Sequence, residues 1–576
     1  MLARFEKPFI FIVGLILLLS CFIQIAYRYK ITPPDREYLG YHEFYTDDYS
    51  IYLSNIFQGQ YGRWTLLDKH TSEPHLGTII HDEYLLWGKL TSLVKLNPII
   101  SYHLFRFSMG AILLFVIYLF LKKLFPNSAK TRVLSFLFIL FSFGFPKISQ
   151  TASGTTVEQY MVWLTELDVF AHFVALPHYL LGNIFFLTNV IAFLSISKRT
   201  QLKYFIICLS SVFMALIHPV SVVSLCAYYA VYLFLSTIIK FSVGARRDSP
   251  VFNKQEIIGF LITVFSAAPI LLFYKYLMTI PPWNHMAAWE GVSKYNIPLK
   301  EYIGAIGPNT LLAPIGFLFM IKDAISKKFG AANVFLSAQP DPACGSEHCK
   351  KMFANQTFLN APIFLLSWIL SFFLLIFYSY PFLKISEVRL MQVFIFIPFA
   401  ILSAYAVISV GALLRVRPKN NLFIILTILI LFLISSPLYI KSFQTKIFYY
   451  PTNSMLAFPP IEWMKGEYYL RDNTPKESVV LAAYMGATTI PFVSGNTVYT
   501  GHTWATLDRT RKEALKEKFF RNQMTDSEAL NFLKTEKIDY VFNGYQESSM
   551  GSHPEKYKFL KPVFSSSMVI IYKFEK

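Results

Sequence analysis

The sequence predicts a polytopic α-helical membrane protein with about eleven transmembrane helices, a long outer loop 1 with interfacial helices, and a small C-terminal α/β domain on the outer face. The first observation is composition: 54% of the 576 residues are hydrophobic and 17% are aromatic, which is too apolar for one soluble core. The second is that long apolar stretches recur up to residue 440. The third is that strand-like and helical patterns alternate after it.

Runs of roughly 18 or more residues with few charges predict the membrane spans. The fifth and sixth spans meet at Ile217-His218-Pro219, which we predict to be a tight turn because proline interrupts the hydrogen bonds of a helix. The predicted spans lie near 9–27, 99–121, 131–146, 174–196, 203–217, 219–240, 257–280, 301–321, 361–383, 388–414 and 421–440.

Lysine and arginine are concentrated on alternate connections, as in Lys122-Lys123 after the second span and Arg246-Arg247 after the sixth. Because basic loops stay in the cytoplasm, we predict a cytoplasmic N-terminus and an extracytoplasmic C-terminal domain, in a bacterial-type inner or plasma membrane. We attribute the formal charge of +18 to this topology and to anionic lipid, and we expect no nucleic-acid partner. The segments predicted to lie outside are 28–98, 147–173, 281–300 and 441–576.

The pair Asp47-Asp48 lies in outer loop 1, just beyond the first span. Carboxylates next to lipid are costly to keep, which makes this pair a candidate for chemistry. Aspartate is also a preferred N-terminal cap of helices, so a purely structural role is the alternative. Apolar residues at helical spacing predict that 48–58 is a helix that lies flat in the membrane interface, with the acidic pair at its N-terminus. These residues are Tyr49, Tyr52, Leu53, Ile56 and Phe57.

Two further segments of the outer loops are predicted to be helical. The first is an interfacial segment over 79–94. In outer loop 2, the stretch from Thr155 to Glu158 is followed by apolar residues at helical spacing, and these two residues stand in the relation of a capping box. Two outer loops that bring carboxylates to one membrane face would build an acid/base site at the lipid boundary.

The tail domain, 441–576, is predicted to be a small α/β domain that follows the membrane domain, 1–440. Its basic helix is predicted to be solvated or to rest on lipid headgroups. That helix carries Arg509, Arg511, Lys512, Lys516 and Lys518. The predicted strands are 478–484, 488–499, 538–543 and 568–574, and the predicted helices are 507–520 and 526–536.

Cofactors are not indicated by any motif, although a divalent cation stays open. Cys344, His348 and Cys349 lack the four ligands of a zinc site. Arg389 is a candidate for holding a phosphate, because arginine offers planar, bidentate donors. A histidine at the start of a span, such as His178, is more often a structural residue with a hydrogen bond.

The stretch Thr46-Asp47-Asp48-Tyr49 after an N-terminal span, with Gly62-Arg63-Trp64 closing the helix, resembles outer loop 1 of the GT-C superfamily of membrane glycosyltransferases. The most similar group is that of the protein O-mannosyltransferases and the lipid A aminoarabinose transferases. The arrangement of spans, outer loops and tail is similar over the whole chain, and the likeness in sequence is confined to about 45–75. Asp48 stands where glutamate is common in the family, so a carboxylate is retained with a shorter reach.

Enzymes of this superfamily move a sugar from a polyprenyl-phosphate carrier to an acceptor at the outer face. The resemblance therefore implies a polyprenyl-phosphate sugar donor, contact with membrane lipid, and a glycan, lipid or protein as acceptor. It implies that Asp47 is the general base, and that Asp48 and Glu158 orient the acceptor, hold a cation or support Asp47. Basic side chains would stabilise the phosphate that leaves. The predicted substrate contacts are Arg63, Lys69, His75, His178 and Arg389.

Two other classes of function remain open. A transporter or flippase of a lipid-linked saccharide would show internal repeats and charged residues near the middle of spans, and neither is clear in the sequence. A non-catalytic envelope protein would not need Asp47.

Overall fold

The computed structural model describes residues 2–42, 46–141, 144–151, 154–161, 172–173, 176–195, 200–242, 254–292, 294–337, 357–391, 395–413, 430, 433, 438 and 450–575. Contacts along the chain define two compact units. The first unit comprises Met1–Leu19, Met109–Leu271 and Ser293–Ser442. The second unit comprises Ser20–Ser108, Leu272–Val292 and Phe443–Lys576.

The helices of the described part are numbered here in chain order. They are α1 (Leu2–Ile31), α2 (Thr46–Gln60), α3 (Asp82–Ser92), α4 (Pro98–Leu124), α5 (Ala129–Phe141), α6 (Pro177–Phe193), α7 (Thr200–Ile217), α8 (Pro219–Ser242), α9 (Lys254–Leu277), α10 (His285–Val292), α11 (Leu299–Ile306), α12 (Asn309–Ser337), α13 (Thr357–Leu383), α14 (Glu387–Leu390), α15 (Phe396–Leu413), α16 (Ile461–Asn473), α17 (Tyr484–Val493), α18 (Arg509–Phe520), α19 (Asp526–Thr535) and α20 (Tyr545–Ser549). The strands are β1 (Pro146–Thr151), β2 (Gly154–Gln159), β3 (Val479–Leu481), β4 (Thr497–Val498), β5 (Tyr540–Asn543), β6 (Leu560–Ser565) and β7 (Ile570–Phe574).

Eight helices of the described part are long and apolar enough to cross a membrane, and they identify an integral membrane protein. Of the other predicted spans, α5 has 13 residues and α6 has 17. The predicted span over 421–440 lies almost entirely outside the described residues, so the count of eleven stays a prediction. The eight candidate spans are Arg4–Ile31, Pro98–Leu124, Thr200–Ile217, Pro219–Ile239, Lys254–Leu277, Asn309–Ser326, Ala361–Leu383 and Phe396–Leu413.

Proline and glycine set several span boundaries. The predicted turn at His218 is confirmed, because α7 ends at Ile217 and α8 begins at Pro219. The span predicted over 301–321 begins later, at Asn309, because the chain breaks between α11 and α12. Gly307 has a φ of 64° there, and Pro308 has no amide proton to continue the helix. The span predicted over 388–414 starts later, at Phe396.

The predicted helix after Thr155 is wrong, because residues 146–151 and 154–159 pair as antiparallel strands. Strand β2 pairs with β1 so that Glu158 lies opposite Lys147. Neighbouring threonine and valine side chains favour a strand, and Gly154, with a φ of 118°, begins β2 opposite Thr151. The Thr155 hydroxyl donates to Gln150 Oε1 at 3.1 Å, so it does not cap a helix.

Buried polar contacts join helices within the first unit. Arg132 of α5 donates through Nε and Nη2 to both carboxylate oxygens of Glu6, each at 2.6 Å. Asn189 of α6 donates to the Ser210 and Ser211 hydroxyls of α7 and accepts from the Tyr229 hydroxyl of α8. Because no water competes for these groups in the interior, such satisfied networks specify how the helices pack.

The last segment of the second unit, Phe443–Lys576, is called the tail segment here. It contains a five-stranded sheet in the order β4-β3-β5-β7-β6. Strand β3 is parallel to β4 and β5, whereas β7 is antiparallel to β5 and β6. The predicted strand over 488–499 is wrong: α17 occupies 484–493, and only Thr497–Val498 joins the sheet. The apolar face of Thr488 to Phe492 is buried as a helix, so burial overrides the β-propensity of its threonines.

Helix α2 is buried against protein, contrary to the prediction that its apolar face lies in the membrane interface. Tyr49, Leu53 and Ile56 have no exposed surface. Helix α3 crosses α2 very closely at two glycines. A Cβ on Gly59 would lie 2.0 Å from Leu85 O, and a Cβ on Gly88 would lie 2.2 Å from Ile56 O. The absence of side chains at both positions therefore permits this crossing, which holds the helix with the acidic pair.

We expect Gly88→Ala to lower the free energy of unfolding by about 1–3 kcal/mol, because the added methyl group must force α2 and α3 apart. The measurement is thermal unfolding of the purified protein in detergent. Gly291→Ala in α10 is the matched control, because a Cβ there meets no atom within 4 Å. The control should be neutral or slightly stabilising, since alanine favours helix more than glycine does. Equal effects of the two substitutions would contradict the close crossing.

Candidate functional site

The acidic pair lies in the first turn of α2, as predicted. Both carboxylates are partly exposed. The Ser50 hydroxyl donates to the Asp47 carbonyl at 2.7 Å, which orders this first turn. The partial positive charge at a helix N-terminus favours carboxylates there, so the local structure tolerates two adjacent negative charges.

The first carboxylate of the pair is held by a tyrosine from the tail segment. The Tyr484 hydroxyl donates to Asp47 Oδ1 at 2.8 Å. Tyr484 is the first residue of α17, a helix that packs on α2. Burial raises the pKa of Tyr484, and its hydrogen bond to Asp47 raises it further. The phenol is therefore a stable neutral donor that occupies one of the two Asp47 oxygens.

The second carboxylate is held by a histidine. His502 Nε2 lies 3.1 Å from Asp48 Oδ1, and the His502 side chain is 7% exposed. The Trp504 amide donates to His502 Nδ1 at 3.2 Å, which places the ring proton on Nε2, facing Asp48. Burial lowers the pKa of His502, but the hydrogen bond to Asp48 and the nearby carboxylates outweigh burial, so the net pKa lies above 6.5.

A segment of the loop between α2 and α3, residues 68–75, supports His502 through its backbone. The His502 amide donates to His70 Nδ1 at 3.3 Å, and the Thr506 hydroxyl donates to the His70 carbonyl at 2.8 Å. Burial lowers the pKa of His70 to about 3, so this ring is neutral. Burial raises the pKa of Asp68 to about 7, against the hydrogen bond that its Oδ1 accepts from the His70 amide.

The same segment pairs with the edge of the tail sheet. The Val498 amide of β4 donates to the Lys69 carbonyl at 2.9 Å, and Thr71 forms an antiparallel bridge with Thr500. Strand β4 is the edge strand of the sheet, so this pairing covers backbone groups that would otherwise be open.

A buried lysine fastens the segment at its far end. Lys512 Nζ lies 2.7 Å from the Glu73 carboxylate and also donates to the Ser72 hydroxyl at 3.0 Å. The prediction that the basic helix α18 is solvated or rests on lipid is therefore wrong for two of its residues, because Lys512 and Lys516 are buried. Glu73 lies 439 positions from Lys512 along the chain, so no local sequence pattern predicts this ion pair.

The predicted substrate contacts of the second unit occupy different environments. The Arg63 side chain is 33% exposed, and its Nη1 lies 3.7 Å from Glu477. Lys69 is buried and donates to the Lys476 carbonyl at 2.8 Å, and burial lowers its pKa to about 8. Both ring nitrogens of His75 bond to its own loop, Nε2 to the Asp68 amide and Nδ1 to the Glu73 carbonyl. His75 thus holds the loop together, and Lys69 attaches the loop to the tail segment.

The remaining predicted site residues belong to the first unit. Glu158 is exposed on β2. His178 is buried near the start of α6 and packs against Tyr179. Arg389 is partly exposed on α14, where its neighbour Glu387 accepts the amides of Tyr295 and Asn296 at 2.9 and 2.6 Å. Cys344, His348 and Cys349 lie outside the described residues.

Sequence reasoning missed Tyr484 and His502, which both contact the acidic pair. Tyr484 lies in a stretch with a strand-like pattern, and His502 lies in a short loop beside Gly501. The one available signal was that polar and aromatic loop residues on a rigid scaffold often carry function.

A buried carboxylic acid on α16 contacts α17. Glu467 of α16 has no exposed surface, and burial raises its pKa well above 4.5. The Thr489 hydroxyl of α17 contacts Glu467 Oε1 and also lies 2.9 Å from the Met485 carbonyl. The Thr489 hydroxyl has one proton and the Met485 carbonyl can only accept. A protonated Glu467 that donates to the hydroxyl therefore leaves the hydroxyl proton for the carbonyl. Glu467 is therefore a neutral link between α16 and the helix that begins with Tyr484.

No protein-family model matches the chain, and no curated protein matches it in sequence. Among solved structures, it resembles the Archaeoglobus fulgidus oligosaccharyltransferase in the apo form, with a TM-score of 0.50, 14% identity, and coverage of 99% of this chain and 75% of that chain. The archaeal oligosaccharyltransferase AglB from the same organism, in complex with an inhibitory peptide and a dolichol-phosphate, gives a TM-score of 0.49 at 14% identity, with coverage of 99% and 75%. ArnT from Cupriavidus metallidurans bound to undecaprenyl phosphate gives 0.47 at 10% identity, with coverage of 98% and 97%.

The first of these similarities establishes the fold. The chain has the fold of that oligosaccharyltransferase. A shared fold does not define a reaction, because function depends on the residues of the site.

We expect the two partners of the buried ion pair to respond unequally to substitution. Glu73→Ala leaves the ammonium of Lys512 buried without its carboxylate and should lower the free energy of unfolding by about 3 kcal/mol. Lys512→Met leaves Glu73, whose side chain is 35% exposed and can be hydrated, so a loss of about 1 kcal/mol is expected. Thermal unfolding in detergent measures both. A greater loss for Lys512→Met would contradict the assignment.

We expect Glu467→Gln to be more stable than the wild type at neutral pH. A carboxyl group with a raised pKa in the folded state contributes stability that is fully present below pH 4.5, its unfolded pKa, and is lost as the pH rises through the folded pKa. Glutamine does not titrate and still donates to Thr489. The difference in melting temperature between variant and wild type should therefore grow as the pH increases above about 4.5. A difference that is constant from pH 4.5 to 8 would show that Glu467 is ionised.

Proposed function

We propose that this protein is a GT-C glycosyltransferase that transfers a sugar from a polyprenyl-phosphate-linked donor to an acceptor at the outer face of the membrane. The observation that carries the proposal is the acidic pair at the N-terminus of α2, with Asp47 and Asp48 each held by a separate donor from the tail segment. A cap alone would need no such donors, because the amides of the helix would satisfy it. The shared fold and the resemblance of residues 45–75 support the same class of enzyme.

In this mechanism Asp47 is the general base. Tyr484 occupies Asp47 Oδ1, and we assign Oδ2 to receive the proton of the acceptor hydroxyl. The acceptor oxygen forms a bond to the anomeric carbon as the bond between that carbon and the phosphate oxygen breaks. The electron pair leaves with the polyprenyl phosphate. Asp48 orients the acceptor or supports Asp47, and Glu158 of outer loop 2 is proposed for the same task.

Basic side chains stabilise the negative charge that develops on the leaving phosphate. Arg63 and Arg389 are the proposed contacts, because both are partly exposed and arginine matches phosphate oxygens in pairs. Lys69 contributes less directly, since its ammonium already binds two oxygens of the protein. His178 remains proposed as a substrate contact. The alternation of basic loops supports a cytoplasmic N-terminus with the acidic pair outside.

The test compares wild type and Asp47→Asn in membranes supplied with a mixture of radiolabelled polyprenyl-phosphate sugars. The wild type is expected to release polyprenyl phosphate or to label an acceptor. The variant should be slower by roughly 100- to 10,000-fold, because asparagine keeps the size of the side chain and removes the base. An arm with EDTA reports whether a divalent cation is needed.

Asp526→Asn is the matched control. Asp526 is an exposed aspartate in the first turn of α19, in the same unit, and it shares with Asp47 only the role of favouring a helix N-terminus. If Asp47→Asn behaves like this control, Asp47 is a cap and the base assignment is wrong. If no variant and no wild type transfers sugar, a transporter or a non-catalytic envelope protein becomes the better interpretation.

A further inference from the structure

His502 contacts Asp48, and its surroundings allow one orientation of its ring. The Trp504 amide fixes Nδ1 as an acceptor, so Nε2 carries the proton and donates to Asp48 Oδ1 at 3.1 Å. The His502 amide is held by His70, and Gly501 packs so tightly on the His70 ring that a Cβ there would lie 2.6 Å from Nδ1. The His502 ring is therefore held at both nitrogens, and its backbone is held by His70.

Two adjacent carboxylates cannot serve as one base and one orienting group unless something distinguishes them. Tyr484 and His502 provide this difference, since the phenol donates to Asp47 and the imidazole donates to Asp48. Asp48 is 38% exposed, whereas His502 is 7% exposed. Substrate can therefore approach Asp48 but not His502.

We infer that His502 is a positioning residue, which holds the Asp48 carboxylate in place for the transfer reaction through its Nε2 proton. This inference rests on the proposed function and deepens it, because it assigns the tail segment a part in the site. His502 does not touch substrate. It acts through Asp48, and the loop segment with His70 keeps it aligned.

The test uses two substitutions, each of which preserves the hydrogen bond of one ring nitrogen. In His502→Gln, the amide nitrogen reaches the position of Nε2 and can still donate to Asp48. In His502→Asn, the amide reaches the position of Nδ1 and can still accept from Trp504, but it cannot reach Asp48. Both variants keep a polar side chain of similar size in a buried place, so the comparison does not depend on a large cavity.

Transfer from the mixture of radiolabelled polyprenyl-phosphate sugars is measured for each variant in membranes. We expect His502→Asn to lower kcat/KM roughly 10- to 100-fold, the loss that follows from removing one hydrogen bond to a charged group. His502→Gln should retain most of the activity. If His502 only holds the Trp504 loop, the order of the two variants is reversed, and that result would overturn the inference.

Thermal unfolding in detergent gives a second readout. Because His502 is inferred to position Asp48 and not to hold the fold, His502→Asn should lose transfer activity while its melting temperature stays close to that of His502→Gln, since both variants bury polar side chains of similar size. A melting temperature that falls only in His502→Asn, together with its activity, overturns the inference.

Two controls separate this inference from the proposed function. His553→Ala removes an exposed histidine of the same unit and should leave transfer unchanged. In an Asp48→Asn background, His502→Asn should have little further effect, because both substitutions remove the same interaction. A wild type that transfers nothing overturns the proposed function and this inference together. An active wild type with an equally active His502→Asn overturns the inference alone.

Discussion

The second unit depends on the attachment of the loop between α2 and α3 to the edge of the tail sheet. Residues 69–71 extend that sheet next to β4, and the Lys512 ammonium closes the contact on Glu73. A buried ammonium is strongly unfavourable without a partner, so this pairing is tied to the folding of the loop. The contact of His502 with the acidic pair follows from it. His70 lies within this segment, and His502 is aligned by His70.

Electrostatics then explains why two neighbouring aspartates persist at a partly exposed helix end. The N-terminus of α2 offers a partial positive charge, and each carboxylate receives its own hydrogen bond from a different side chain. The surroundings of the two residues differ as a result. Asp47 has the neutral phenol of Tyr484 beside it. Asp48 has the imidazole of His502, whose pKa the nearby carboxylates raise. A chemically symmetrical pair in the sequence is thus asymmetric in the fold.

Local patterns predicted the parts of this structure that local physics determines. Apolar length located the eight candidate spans, and the acidic start and helical spacing located α2. The paired strands at 146–151 and 154–159 and the helix at 484–493 were missed, because threonine-rich stretches fit either state until packing decides. Lys512 and Lys516 looked solvated, since a row of basic residues on a helix does not reveal a distant carboxylate. The partners of the acidic pair could not be predicted, because no sequence pattern links residues so far apart.

That separation along the chain has a consequence for biosynthesis. Asp47 and Tyr484 are 437 positions apart, so at roughly 5–20 residues per second the ribosome needs about 20 to 90 s to make the second after the first. During this interval the helix with the acidic pair is already made, whereas the phenol and the imidazole that distinguish its two carboxylates are not. A chain that stops before α17 carries the aspartates without either partner. The arrangement makes translation as far as His502 a condition for assembling the site.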